Sequence, residues 1–325
     1  MTTIRPIFLF SLPRSGSTLV QRVLGAHTAV ATASEPWLLL PFFYARHQNG
    51  IYADYHHSEY AKALDDFCQV LPNKQADYNA ALRAFALRLY SQAAPEGARY
   101  FLDKTPRYHL IVADLIEAFP EAKFIFLWRN PLAVSASIMK TWAAGRWNLY
   151  RYKVDLYKGL ENLLNAYRNN TDTLYSVRYE DLVTTPEAAW EALFTYLDLP
   201  YDDALLASFT SVHLEGRMGD PTGVHEYDEV TQTPLHQWKA VLANPLRKAW
   251  AKRYLRWIGE ERLRLMGYEM ETLLGALHDA PSSARFLASD VARRCKGVVQ
   301  PLIEPHILRT KWHTLPDWPK VVAHF

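Results

Sequence analysis

Apolar residues along this chain fall into two patterns: short, mostly apolar runs, and stripes at three- and four-residue spacing. The runs are Ile7–Phe10, Tyr100–Leu102, Phe124–Leu127 and Leu174–Val177. Short runs of this kind predict strands buried on both faces. The stripes lie between them and predict helices. Leu19, Val20, Val23 and Leu24 follow the first run, and Leu82, Phe85, Leu89 and Tyr90 mark Tyr78–Gln92. Further helical patterns cover Tyr108–Phe119, Pro131–Trp142, Val154–Asn169 and Pro186–Leu197. A last stripe, with Trp250, Tyr254, Trp257, Ile258 and Leu265, predicts one long basic amphipathic helix over Pro245–Tyr268. Strands alternating with helices predict an α/β fold with a central, mostly parallel sheet flanked by helices. Ligands of such sheets bind at the carboxyl ends of the strands. Arg14, Lys104 and Arg129 each follow a strand at that end, which places them to face one cleft. There is no internal repeat and no low-complexity segment.

The most informative stretch joins the first run to the first stripe: IFLF, then SLPRSGST, then LVQRVLGAH. A strand, a small-residue loop and a helix N-terminus form an anion site, because loop N–H groups and the helix dipole converge on one point. Arg14, Ser15, Ser17 and Thr18 add charged and hydroxyl donors around Gly16, so the expected ligand is a phosphate or sulfate ester. The nucleoside-triphosphatase loop G-x-x-x-x-G-K-[ST] is nearly but not fully present. Ser11 stands where its first Gly belongs, and no Lys follows Gly16. Such a loop is P-loop-like: it has the cradle without the Lys–Ser/Thr pair that serves the terminal phosphates and magnesium. A second strand–turn–helix, KFIFLWRNPLAVSASIMKTW, carries Arg129 at the strand end, Pro131 suited to a first helical turn, and Ser137 two turns on. Arg supplies a bidentate fork for a phosphate and Ser a hydroxyl donor.

Composition narrows the classes. The chain has 325 residues, 49% hydrophobic and 22% charged, with a net charge of +2. That is enough apolar residue for a sizeable core, and it gives no pull towards nucleic acid. Cys68 and Cys295 are the two cysteines, so no disulfide framework is implied, and no Cys/His cluster has zinc-ligand spacing. Thr2–Arg5 leads straight into the first strand, leaving no room for a secretory signal. No apolar run approaches the ~18 residues of a membrane span. The expectation is a soluble cytoplasmic enzyme. The expected layout is one domain over 1–280, with an α/β core over about 5–200 and a lid and helical part over 201–280. A basic aromatic extension over 281–325 has seven Lys/Arg against three Asp/Glu, with Trp312 and Trp318, and is expected to pack on its own domain.

The two phosphate motifs resemble those of the sulfotransferases that use 3′-phosphoadenosine-5′-phosphosulfate (PAPS). Pro13–Thr18 resembles the P-R-S-G-[ST]-T loop of the tyrosylprotein and bacterial branch, and the R-x-P-x-x-x-x-x-S pattern from Arg129 to Ser137 resembles the family's 3′-phosphate site. Weaker resemblance extends in ordered segments to Leu199. It implies that Arg14, Ser15, Gly16, Ser17 and Thr18 hold the 5′-phosphosulfate, and that Arg129 and Ser137 hold the 3′-phosphate. It also places Tyr179, in Tyr179–Leu182, near the adenine, with Arg178 adding charge near the 3′-phosphate. Lys104, in D-K-T-P, would join Arg14 in stabilising the transferred group. Glu35 stands eight residues after His27, as the branch's proposed general base does, whereas His27 itself is expected to help end the first helix. Gly216–Trp238 would be the loop closing over the nucleotide. Thr233, not Lys, precedes Pro234, which departs from the tyrosylprotein pattern. No metal is implied. The acceptor would be a hydroxyl- or amine-bearing sugar, lipid, peptide or small metabolite, with aromatics of Trp37–Tyr44 and Ile51–Tyr60 as pocket walls. A homo-oligomer is compatible with all of this. A P-loop nucleotide kinase and a non-catalytic nucleotide-binding scaffold are the alternatives.

Overall fold

The computed structural model describes residues 4–47, 51, 53, 55–212, 214 and 231–303. Five strands form one sheet: β1 (Arg5–Phe10), β2 (Val30–Thr32), β3 (Tyr100–Asp103), β4 (Lys123–Trp128) and β5 (Tyr175–Arg178). Their order is β2-β3-β1-β4-β5, and every pairing is parallel. β1 lies at the centre, with Phe8 beside Asp103 on one neighbour and Phe124 on the other.

The two faces of the sheet follow from the period-two alternation of the strands. Phe8 and Phe10 of β1 join Phe124 and Phe126 of β4 in an aromatic core on one face. The Phe8 ring packs on Phe124 at 5.8 Å and edge-on to Phe119 at 5.0 Å. Ile7 and Leu9 point the other way and join Leu102, Ile125 and Leu127 in an aliphatic core. The Ser17–Gly25 helix covers that face with Val20, Val23 and Leu24, beside Trp190, Leu193 and Phe194 from Pro186–Tyr196. The aromatic face is covered by Gln75–Ala93, Val112–Ala118 and Leu160–Asn169, and by Trp238, Tyr254 and Leu255 from later helices. No helix among the described residues is long and apolar enough to cross a membrane.

The structure departs from the sequence reading where local chemistry interrupts a stripe. Tyr108–Phe119 is not one helix: a 3-10 turn over Pro106–Leu110 precedes Val112–Ala118, with Ile111 at φ −128 between them. That turn is what brings the Tyr108 hydroxyl to Asp103. Val154–Asn169 begins as a π-helical turn, Val154–Gly159, before the α-helix Leu160–Asn169. The extra residue sets Asp155 against His109 at 2.9 Å, while Gly159 lies on the His109 ring, where a Cβ would come within 2.5 Å of Nδ1. Pro245–Tyr268 breaks at Gly259, whose φ of 84 leads from Pro245–Ile258 into a second helix, Glu260–Leu265. The helices His57–Val70, Met270–His278 and Leu287–Ile303, and strand β2, had no counterpart in the predicted elements. Residues 216–230 and 304–325, parts of the expected closing loop and basic extension, lie outside the described residues.

The order of the strands positions a crevice. The connection leaving β1 runs to one side of the sheet, towards β2, and the connection leaving β4 runs to the other, towards β5. Adjacent strands whose connections diverge leave a gap at their carboxyl ends. Arg14 follows β1 and Arg129 follows β4, one on each side of that gap.

Candidate functional site

The loop after β1 is built around two left-handed residues. Gly16 has φ 93, and Arg14, which carries a side chain, has φ 69. A non-glycine residue in that region is strained and needs the surroundings to hold it. Here the hold comes from the second motif. Arg129 Nη1 donates to the Arg14 carbonyl at 2.9 Å, and Arg14 Nε donates to Ser137 Oγ at 3.3 Å. Tyr179 fits beneath: a Cβ on Gly16 would lie 2.3 Å from its ring, and the Arg129 guanidinium rests over that ring at 4.3 Å. Ser15, Ser17 and Thr18 are buried around the start of the Ser17–Gly25 helix. The Leu19 and Val20 N–H groups bond the Gly16 carbonyl at 3.0 and 3.3 Å, which leaves the N–H groups of Ser17 and Thr18 as the first-turn donors with no carbonyl a turn behind them.

Arg129 begins the second half of the site. Asn130 caps the Pro131–Ala143 helix by accepting from the Leu132 N–H at 2.9 Å, and Pro131 fills its first turn. Glu180 fixes the same corner by accepting the Asn130 N–H at 3.0 Å and the Tyr268 hydroxyl at 2.5 Å. Arg129 is 7% exposed, and its Nη2 reaches the Pro234 carbonyl at 3.3 Å. Its Nε is buried with no partner among the described residues. Arg14, Arg129, Ser137 and Lys140 line one cleft of about 390 Å³. Thr233 and Trp238 close its far wall, so the described end of the expected closing loop does flank it. Lys140 Nζ bridges to Gln237 Oε1 across the opening at 2.9 Å.

Glu35 and Lys104 meet each other. Lys104 Nζ donates to Glu35 Oε1 at 2.8 Å, with side-chain exposures of 2% and 10%. Trp37 Nε1 donates to the other carboxylate oxygen at 3.3 Å. The segment carrying Glu35 is fixed from two sides. Gln21, fully buried, donates to Thr32 Oγ1 and to the carbonyls of Ala33 and Ser34. On the other side stands Asp103, fully buried at the end of β3. It accepts from Tyr90 at 2.6 Å, Tyr108 at 2.9 Å and Thr105 at 3.0 Å. Thr105 Oγ1 in turn accepts the Trp37 N–H, and the Tyr108 hydroxyl accepts that of Leu39. Burial pushes the Asp103 carboxyl up to about 6, against the pull of the three hydroxyls. The Tyr90 and Tyr108 phenols are pushed well above their ordinary value, first by burial and then by Asp103.

The structure therefore gathers Arg14, Arg129 and Ser137 at one cleft and pairs Glu35 with Lys104. Tyr179 does not line the cleft; it packs under Gly16. Arg178 is held in a fork by Asp181 and also donates to the Gly267 carbonyl at 2.8 Å. His27 lies just past the first helix, its Nδ1 accepting the Ala29 N–H at 3.0 Å, and burial followed by Arg99 lowers its pKa. The Asp103 hub and Gln21 are additions: Asp103 stands in the D-K-T-P segment, but the role expected there was that of Lys104. Their only trace in the sequence is a polar residue at a position the surrounding pattern makes apolar.

Comparison with known proteins agrees with this geometry. A family model described as "Sulfotransferase family" matches residues 6–203. The nodulation protein NoeE of Sinorhizobium fredii is 37% identical over 138 residues, which is 42% of this chain and 31% of that protein. Protein-tyrosine sulfotransferase 1 of Danio rerio is 29% identical over 222 residues, 67% of this chain and 58% of that one. The chain thus spans less than two thirds of the length of these curated relatives. Among solved structures, the sulfotransferase domain from the curacin biosynthetic pathway superposes with a TM-score of 0.52 at 25% identity, covering 74% of this chain and 92% of that domain.

Proposed function

We propose that this chain, which belongs to the sulfotransferase family, transfers a sulfuryl group from PAPS to a hydroxyl or amine of its acceptor. The observation that carries the donor assignment is the buried, unpartnered Nε of Arg129 at the wall of a cleft shared with Arg14 and Ser137. A buried donor without a partner asks for an explanation, and at the wall of a cleft a bound acceptor supplies one. A phosphate oxygen meets that need, and the Arg fork suits it. Arg129 and Ser137 would hold the 3′-phosphate. Gly16 and the N–H and hydroxyl groups of Ser15, Ser17 and Thr18 would hold the 5′ end.

PAPS, when bound, supplies a sulfuryl group on a good leaving phosphate. The chain supplies charge and a base. Sulfuryl transfer is in-line, with charge building on the leaving oxygen, so cations beside that oxygen favour the transition state. Arg14 and Lys104 are those cations. Glu35 is the base: it takes the proton from the acceptor as the acceptor atom bonds to sulfur, and the electron pair of the broken S–O bond leaves on the phosphate. The Glu35–Lys104 pair is the resting arrangement. Lys104 would turn its ammonium to the sulfuryl group, and Glu35 would then be free to take the acceptor's proton.

The test is a thermal shift with 3′-phosphoadenosine-5′-phosphate (PAP), against ATP with magnesium. At ~100 times its dissociation constant a ligand adds about 2.7 kcal/mol to the folded state. The expected result is a large shift with PAP alone that Arg129→Ala abolishes. A shift with ATP and magnesium instead would replace this reading by a kinase.

A further inference from the structure

On the far side of Trp142 from the nucleotide cleft lies a second hollow of about 680 Å³, lined by Trp142, Arg146, Tyr150, Arg151, Arg293 and Lys296, among others. Its lining has four cations and no carboxylate, and none of the four is in an ion pair among the described residues. Like charges gathered around one hollow repel each other, and a multiply charged anion relieves that repulsion. Three of the four are Arg, whose fork matches phosphate oxygens.

The helix that carries two of the cations is fixed in place, although the side chains of Arg146, Arg151 and Lys296 are exposed. Arg293 and Lys296 lie on the Leu287–Ile303 helix. That helix is pinned by Asp290, fully buried, which accepts from Arg247 at 2.6 and 2.9 Å, from Asn244 at 2.7 Å and from the Trp147 N–H at 3.2 Å. Gly297 lets the same helix close on Tyr150, where a Cβ would come within 2.7 Å of the Tyr150 side chain. Asn148 also lines the hollow. It is 4% exposed, and its Oδ1 has no partner among the described residues. It is therefore an acceptor awaiting an O–H or N–H donor.

The hollow also borders the Arg14 side of the nucleotide site. Trp142, 40% exposed, has the Arg14 guanidinium 5.7 Å from its ring centre and stacks on Tyr152 at 4.8 Å. Thr141 contributes to both clefts. A ligand in the hollow thus reaches the wall against which Arg14 rests.

We propose that this hollow is the acceptor's anchor, and that the acceptor is a phosphate ester bearing free hydroxyl groups. The four cations would take the phosphate and Asn148 a hydroxyl. The proposal rests on the sulfotransferase reading, and it adds the chemical class of the acceptor.

The test is a titration of the full chain with inorganic pyrophosphate in saturating PAP, so that the nucleotide cleft is already filled. PAP affinity is measured separately in every variant. Pyrophosphate is expected to bind, more weakly as salt rises, and the double substitution Arg151→Gln with Lys296→Gln is expected to weaken it about tenfold or more. Both side chains are exposed, and PAP affinity and melting temperature should stay at the parent values. A sugar bisphosphate is then expected to displace pyrophosphate. Failure of pyrophosphate to bind the PAP-saturated protein, or equal binding to the double variant, overturns the site while leaving the donor assignment standing. Displacement by inorganic anions alone makes the hollow an inorganic-anion site and overturns the acceptor assignment. Failure of PAP itself to bind overturns the sulfotransferase reading and this inference with it.

Discussion

Asp103→Asn removes a buried charge while keeping the shape of the side chain that holds the Glu35 segment. In the folded chain Asp103 is fully buried, and its carboxyl is pushed up from 3.8 to about 6, above all by burial. The native state therefore keeps this proton up to about pH 6, whereas the unfolded chain releases it near 3.8. Between those values the native state binds more protons, so stability falls as pH rises through the window, and the loss is complete above it. The gap between the two values corresponds to about 3 kcal/mol. Every other titrating group is common to both proteins. The stability of the parent minus that of Asp103→Asn should therefore drop by about 3 kcal/mol between about pH 4 and pH 7. Urea unfolding followed by tryptophan fluorescence at several pH values measures it. Parallel stability–pH curves for the two proteins would refute the account of Asp103 as an ionising buried hub. The substitution also presents an NH₂ group to hydroxyls that already donate, at about 1–3 kcal/mol for each donor left unsatisfied. Its effect should reach the site through Trp37 and Leu39, whose N–H groups bond Thr105 and Tyr108.

Three further outcomes follow from named contacts. Glu35→Gln should lower kcat by about 10²- to 10⁴-fold, the usual worth of a general base, with PAP affinity kept; unchanged turnover would remove Glu35 as the base. Gly16→Ala should abolish the PAP-induced thermal shift, because φ 93 disfavours a side chain and its Cβ would lie 2.3 Å from the Tyr179 ring. Overpacking of that kind destabilises by about 1–3 kcal/mol, readable as a lowered melting temperature. Arg247→Met leaves Asp290 buried without its ion-pair partner. It should destabilise by about 3–5 kcal/mol, and Asp290→Asn in the same chain should recover part of the loss in urea melts.

How much of this was legible in the sequence depended on the distance over which each signal acts. β1, β3 and β4 were visible because a strand buried on both faces is apolar at successive positions; the half-buried edge strand β5 showed only through the mostly apolar Leu174–Val177, and Val30–Thr32 is three residues and too short to stand out. The two phosphate motifs were visible because each is one local strand–turn–helix. Breaks such as Gly259 were harder: Gly in a helical stripe is tolerated often enough that its φ of 84 could not be read in advance. Contacts between segments were not legible at all. Nothing in the spacing of Tyr90, Asp103 and Tyr108 announces that two phenols and a carboxylate share one buried point. The cationic hollow draws on a helix end, a 3-10 turn and a helix more than a hundred residues later.

The joining of the two motifs matters more than either alone. Arg14 is held at φ 69 by groups that themselves belong to the second motif: Arg129 on its carbonyl and Ser137 on its Nε. Tyr179, from a third segment, fills the space under Gly16 and supports the Arg129 guanidinium. In the proposed reading, the group that holds the 3′-phosphate thus also keeps the 5′ loop in its strained form. Strain of this kind persists only while its surroundings impose it. The two ends of the nucleotide are then not independent subsites: a ligand that orders Arg129 also tightens the loop beside the sulfuryl group. By the same linkage, loss of Arg129 removes more than one phosphate contact, whereas loss of the Ser137 hydroxyl leaves the Arg14 carbonyl held.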